Sequence, residues 1–167
     1  MKLRAIEPSD LDVLFAIENE TSLWPYSEYT VPYSRDALQA YIITCSNDIY
    51  LDRQLRLVVE VKGHAVGLVD LCNFSPKHSR AEVSIALLPQ YRDKGYGAQA
   101  LLLLSEYTDS HIHMHQLYAH VSVDNPAAIQ AFSKADYEKV AVLKDWIRTQ
   151  GCSYSDVVVL CKRLSII

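Results

Sequence analysis

The stretch Leu88-Pro89-Gln90-Tyr91-Arg92-Asp93-Lys94-Gly95-Tyr96-Gly97-Ala98 sets two cations beside two glycines where a strand gives way to a helix. Such a junction aims unpaired backbone N–H groups outward, and the helix dipole adds about half a positive charge there. A phosphate or pyrophosphate is the natural guest. Glycine lets the backbone approach that guest closely and adopt positive φ. The chain has only five glycines (Gly63, Gly67, Gly95, Gly97 and Gly151), and two of them fall in this window.

Three readings of the window compete. A Walker A loop needs Gly-x-x-x-x-Gly-Lys-[Ser/Thr], which is absent. Gly95-x-Gly97-x-x-Ala100 formally matches the dinucleotide fingerprint. Its glycines, however, lie several residues past the strand, and the acid due about 20 residues on is missing, Asp124 lying 27 beyond Gly97. Glycines kept for helix packing alone are the third reading.

Other reactive residues are scattered. His111-Ile112-His113-Met114-His115 alternates three imidazoles on a connector, which could bind zinc but reads as a polar loop before a strand. His120 alternates with apolar neighbours and reads as a packed histidine close to the cleft. Cys45, Cys72, Cys152 and Cys161 form no Cys-x-x-Cys and read as reduced thiols of a cytosolic protein.

Composition bounds the rest. The length of 167 residues predicts one domain, spanning 1–167. Net charge is 16 − 20 = −4, which argues against sequence-independent nucleic-acid binding. No apolar run approaches the ~20 residues that span a bilayer. Met1–Glu7 has no apolar core, so no signal peptide and a cytoplasmic location are expected.

The elements that must carry these residues follow from periodicity. Residues 2–7 read as a strand, and Ser9 as the N-cap of a helix through Leu11, Leu14, Phe15 and Glu18. An irregular aromatic segment, 20–33, follows. Ser34 caps a second helix with Leu38, Tyr41, Ile42 and Cys45 as its stripe. Period-two alternation marks strands at 55–61, 65–73, 81–88 and 117–123. A helix is predicted over 98–109, a second opens at Asn125-Pro126, and strands at 137–144 and 154–164 close the chain. The order β-α-α-β-β-β-α-β-α-β-β predicts an α+β protein with a mixed sheet, not a doubly wound one.

Arg92-x-x-Gly95-x-Gly97 resembles the pyrophosphate loop of the GCN5-related N-acetyltransferases (GNAT). Val66-Gly67-Leu68-Val69-Asp70-Leu71, Arg80-Ala81-Glu82-Val83-Ser84-Ile85, Leu117-Tyr118-Ala119-His120-Val121 and Asn125-Pro126-Ala127-Ala128 follow the same family's order and spacing. The resemblance covers essentially the whole chain. It is closest to the branch of ribosomal-protein N-terminal and spermidine acetyltransferases.

The resemblance implies a GNAT fold of about seven mostly antiparallel strands, one splayed parallel pair and about four helices. It implies acetyl-CoA as co-substrate, no metal, and direct attack of a neutral amine within a ternary complex. Cofactor contacts would come from Ser84, Ile85 and Ala86 on the splayed strand, from Arg92, Asp93, Lys94, Gly95, Tyr96, Gly97 and Ala98 in the loop, and from Asn125, Ala128 and Phe132. Glu82 would be the base. The family's usual acid, a Tyr seven residues after the Asn, is Phe132 here, and its later glycine is Asp136. Ser133, Tyr137 and Tyr154 are the other hydroxyls nearby. Trp24, Glu28 and Tyr29 would meet the acceptor, a polyamine, small amine or protein N-terminus, with 145–148 as a second wall. A homodimer fits the family. A non-catalytic acyl-CoA-binding module, suggested by Phe132, is the alternative.

Overall fold

The computed structural model describes residues 1–26, 31–149 and 153–164. Among these residues the strands are β1 (Lys2–Ala5), β2 (Leu55–Val61), β3 (His64–Ser75), β4 (Arg80–Leu87), β5 (Gln116–Ser122), β6 (Glu138–Arg148) and β7 (Tyr154–Arg163). The helices are α1 (Leu11–Glu18), α2 (Arg35–Thr44), α3 (Ile49–Asp52), α4 (Tyr96–Tyr107) and α5 (Pro126–Lys134). The strands form one sheet in the order β1-β2-β3-β4-β5-β7-β6.

The alternation seen in the sequence splits the sheet into two cores. One face, with Val59, Val69, Ala81, Val83, Leu117 and Ala119, packs on α4 and α5. The other, with Val58 and Leu68, packs on Leu14, Ile17, Leu38 and Ile42 of α1 and α2.

β4 and β5 are parallel, and their ladder is short. It comprises Arg80↔Gln116, Ala81↔Leu117 and Glu82↔Tyr118. Beyond Glu82, β4 keeps its antiparallel pairing with β3 as far as Leu87, and β5 stays on β7 as far as Ser122. A gap therefore opens between two strands that are each held on their other side.

Several local expectations change. The first strand ends at Ala5, and Ser9 is not a cap. Pro8–Asp10 form a 3-10 turn in which the Asp10 carboxylate accepts the Glu7 N–H at 2.9 Å. A two-pronged bond from Arg4, at 2.6 and 2.7 Å, fixes that carboxylate. The ion pair outcompetes the Ser9 hydroxyl for the turn. A fifth helix, the single turn α3, escapes periodicity because four residues are too short to show any; the Asp48 carboxylate caps it at Tyr50 N. α4 begins at Tyr96 and runs on into a π turn, Thr108–Ile112. β6 extends to Arg148 through irregular pairing at 143–147. Ser34 and Asn125 do cap their helices, accepting from Ala37 N and Ala128 N. Asp136 takes positive φ, 65°, where the family has glycine.

Candidate active site

The gap exposes one edge of β4. Leu88 N donates to Val66 O at 3.0 Å, which fixes the alternation along the strand. Ser84 and Ala86 direct their backbone groups toward β3, and Val83, Ile85 and Leu87 direct theirs toward the gap. At the near end Gln116 N donates to Ser79 O, in phase with this pattern. Of the three strand positions expected to meet the cofactor, Ile85 therefore has the N–H in the gap. Ser84 and Ala86 belong to the paired edge.

The loop after β4 is held back onto it. Arg92 Nε donates to Leu87 O at 2.9 Å, and Nη1 lies 3.5 Å from Ser22 Oγ. Nη2 is buried with no hydrogen-bond partner among the described residues. A buried guanidinium nitrogen left unmatched is a strong demand for an acceptor. Gly95 caps α4 with φ 78°, and Asp93 also takes positive φ, 59°. The Gly95 position suits glycine for its φ alone, since nothing stands within 4 Å of the place a Cβ would occupy. The first N–H groups of α4, from Tyr96, Gly97 and Ala98, follow directly. A Cβ at Gly97 would stand an ordinary 3.6 Å from Ala131 of α5, so helix packing alone does not require glycine there. Lys94 lies 5.6 Å over the Tyr91 ring. Asn125 spends its side chain on the α5 cap, beside Ala128.

Phe132 is in the core at 3% exposure, edge-on to Tyr137. It reaches no open surface and has no proton to donate.

On the α1/α2 face of the sheet lies a polar row. Arg56 bonds Glu18 at 2.6 Å and Asp70 at 2.8 and 2.9 Å, and Ser84 Oγ lies 3.3 Å from Asp70. Burial opposes the Arg56 charge, but Asp70 and Glu18 outweigh it and hold its pKa above the usual arginine value. Cys72 sits in the same row; burial, then Asp70 and Glu82, push its thiol up to about 12. Burial raises Cys161 as well. Both stay protonated and un-nucleophilic. Glu82 is nearest the gap. It accepts from Asn73 Nδ2 at 2.7 Å, and His120 Nδ1 lies 2.7 Å from its other oxygen. Sequence reasoning missed this partner, since only the β4–β5 register brings the two together.

Residues 22–26 of the aromatic segment cross the mouth of the gap. Trp24 Nε1 donates to Glu18 O at 3.2 Å, Ser22 faces Arg92, and Tyr26 Oη lies 3.3 Å from Asp124 O beyond β5. Glu28 and Tyr29 lie outside the described residues. Trp146 is 60% exposed on the outer strand β6, two strands from the gap. His111 and His113 bond backbone carbonyls of their own turn, and no metal-holding cluster is present among the described residues.

A sheet split between parallel strands, with a helix start and a buried unmatched guanidinium nitrogen beside it, is the frame of an acyl-CoA-type transferase. A family model described as an acetyltransferase (GNAT) domain matches residues 1–138, and the chain belongs to that family. It is an acetyl-CoA-dependent N-acetyltransferase. The chain is 28% identical over 161 residues to spermidine N(1)-acetyltransferase of Escherichia coli K12, covering 96% of this chain and 84% of that protein. It is 27% identical to the Vibrio cholerae enzyme of the same name, over 94% of this chain and 89% of the other. A crystal structure of Vibrio cholerae spermidine N-acetyltransferase in complex with CoA and spermine superposes with TM-score 0.82 at 26% identity, covering 99% and 96% of the two chains.

Proposed function

We propose that the chain acetylates a linear polyamine. The likeness of nearly the whole chain to spermidine acetyltransferases carries this reading. We take residues 1–167 as one transferase domain.

The pyrophosphate of acetyl-CoA lies against the N–H groups of Tyr96, Gly97 and Ala98, with Arg92 Nη2 and Lys94 as cationic donors. The pantetheine arm pairs with the open edge of β4. The Ile85 N–H points at the thioester carbonyl and stabilises its developing negative charge. The amine arrives from the α1/α2 face, under Trp24, and its nitrogen attacks the carbonyl carbon. Glu82 supplies the basic end of the site. An amine near pKa 10 is mostly protonated at neutral pH, so a base at this point raises the rate. Cys72 and Cys161 are held as thiols, which supports direct transfer without an acyl-cysteine intermediate.

Thiol release from acetyl-CoA with an amine panel tests this. Acetylation of spermidine but not of N-terminal peptides is expected. One observation favours a simpler primary amine or peptide N-terminus as second reading: Arg56 pairs with both Glu18 and Asp70, so these two acids present one net negative charge instead of two to a multiply charged polyamine. Preference for peptides in the same panel would establish it.

The edge strand β6 exposes Val140 at 56% and Trp146 at 60%, the kind of open edge that pairing with a second copy covers. A related Vibrio cholerae structure is described as dodecameric. A homodimer or larger homo-oligomer in light scattering is the expected result. The described cysteines are free thiols, in keeping with a cytosolic enzyme.

A further inference from the structure

Glu82 and His120 stand on adjacent parallel strands, 38 residues apart in sequence, where the β4–β5 ladder ends. Both Glu82 oxygens are engaged: Oε2 accepts from Asn73 Nδ2 and Oε1 meets His120 Nδ1, each at 2.7 Å. An ionised carboxylate only accepts, so the imidazole proton belongs on Nδ1. Nε2 is then a bare lone pair, and among the described residues it makes no hydrogen bond. The His120 side chain is 33% exposed and that of Glu82 21%, so the imidazole is the outer member of the pair. The Tyr118 ring, edge-on at 5.7 Å, fixes the imidazole plane from its own strand.

We propose that His120 Nε2 is the proton acceptor of the transfer step, and that Glu82 is a positioning residue that sets the imidazole's tautomer and stabilises the imidazolium. This rests on the amine-acetylation reading and reassigns the base within it. As the amine nitrogen forms its bond to the carbonyl carbon, it becomes positively charged and its proton turns strongly acidic. That proton moves to Nε2. The C–S bond breaks with its electron pair on sulfur, and CoA leaves as a thiolate that takes a proton from water. The imidazolium, a third exposed, returns its proton to solvent. No further reactant is needed.

The titratable groups that meet the imidazole are Glu82 on β4 and the Tyr118 ring on β5; Arg80, Cys72 and Cys161 act on the Tyr118 phenol behind it. Burial and then Glu82 raise the Tyr118 phenol, so it stays neutral. Val159 lies opposite His120 on β7.

Steady-state kinetics of His120→Gln and Glu82→Gln with acetyl-CoA and spermidine, across pH, test this, with acetyl-CoA affinity measured by calorimetry. His120→Gln should lower kcat by about 10² to 10⁴-fold and erase the lower limb of the kcat/KM profile, with acetyl-CoA affinity unchanged. Glu82→Gln should keep that limb, displaced, with a smaller loss. A His120→Gln enzyme that keeps the limb and is within about threefold of wild-type kcat overturns the proposal. So does a limb lost in Glu82→Gln but kept in His120→Gln, which returns the base to Glu82. Nitrogen-15 NMR of the wild-type imidazole should show the Nδ1–H tautomer, and an Nε2–H tautomer also overturns it. If the wild-type enzyme acetylates no amine, the transferase reading and this proposal both fall; a normal wild-type rate with a silent His120→Gln substitution sinks the proposal alone.

Discussion

Where α5 ends, the ring of Phe132 meets the ring of Tyr137 edge-on, centroids 5.0 Å apart and planes at 79°. The backbone closes around the same contact. Tyr137 N donates to Phe132 O at 3.1 Å and Asp136 N to Ser133 O at 3.2 Å, with Asp136 left-handed between them. This is a Schellman closure with its usual apolar contact. Phe132 thus serves helix termination and the core. The Tyr137 hydroxyl is buried and makes no hydrogen bond of good geometry among the described residues, the nearby Ser105 hydroxyl, bonded to Leu101 O, acting on it only weakly, and burial pushes its phenol upward. Tyr137→Phe should therefore leave turnover unchanged and fold as well or up to about 1 kcal/mol better. A collapse of kcat in that variant would identify Tyr137 as the acid that Phe132 cannot be.

Gly67 of β3 lies against the end of β4. A Cβ there would stand 2.5 Å from both Ala86 O and Leu87 Cδ2, and 3.1 Å from Leu87 Cα. Backbone would have to move. Gly67→Ala should cost about 1–3 kcal/mol in urea unfolding. Because Leu87 is the last residue facing the gap, acetyl-CoA affinity should fall as well.

Arg92→Ala removes the buried Nη2 and the bond to Leu87 O. Losing a charge-assisted hydrogen bond of about 1.5–3 kcal/mol predicts about 10- to 100-fold weaker acetyl-CoA binding by calorimetry. Arg92→Lys should recover little, since a point charge does not replace the fork.

The bond from Arg4, then the Glu7 N–H, hold the buried Asp10 carboxyl below the usual 3.8, against the opposing effect of burial. A lowered folded-state pKa means that its stabilisation is complete above the unfolded value and is lost as pH falls through the folded one. Urea midpoints of the wild type should drop below about pH 4, and Asp10→Asn should be less stable at neutral pH yet flatter through that acid range.

Strands, helices and caps were legible in this sequence wherever the signal is local. The period-two runs predict β2 through β5 to within a residue or two, and Ser34 and Asn125 stand one position before their helices. The turn from β4 into α4 was legible too, because its cations and glycines are contiguous. What escaped depends on partners distant in sequence. The Asp10 carboxylate replaces Ser9 because Arg4 holds it. Glu82 carries a histidine partner because a parallel register places β5 beside β4. Arg56 couples α1 to β3 through two acids that no spacing connects. The fate of Phe132 depends on which way α5 rolls, and one apolar letter does not encode that.

The β4–β5 ladder stops after Glu82 and Tyr118, so backbone hydrogen bonding through the sheet rests at this seam on three residue pairs. Four strands stand on one side and three on the other, bridged elsewhere by side chains and helices. The protein is thus two leaves on a short spine, and on the proposed reading the pantetheine arm would take the place of a missing strand between them. Co-substrate binding would then also be the last step of sheet assembly, joining the two leaves along the edge where their own ladder stops.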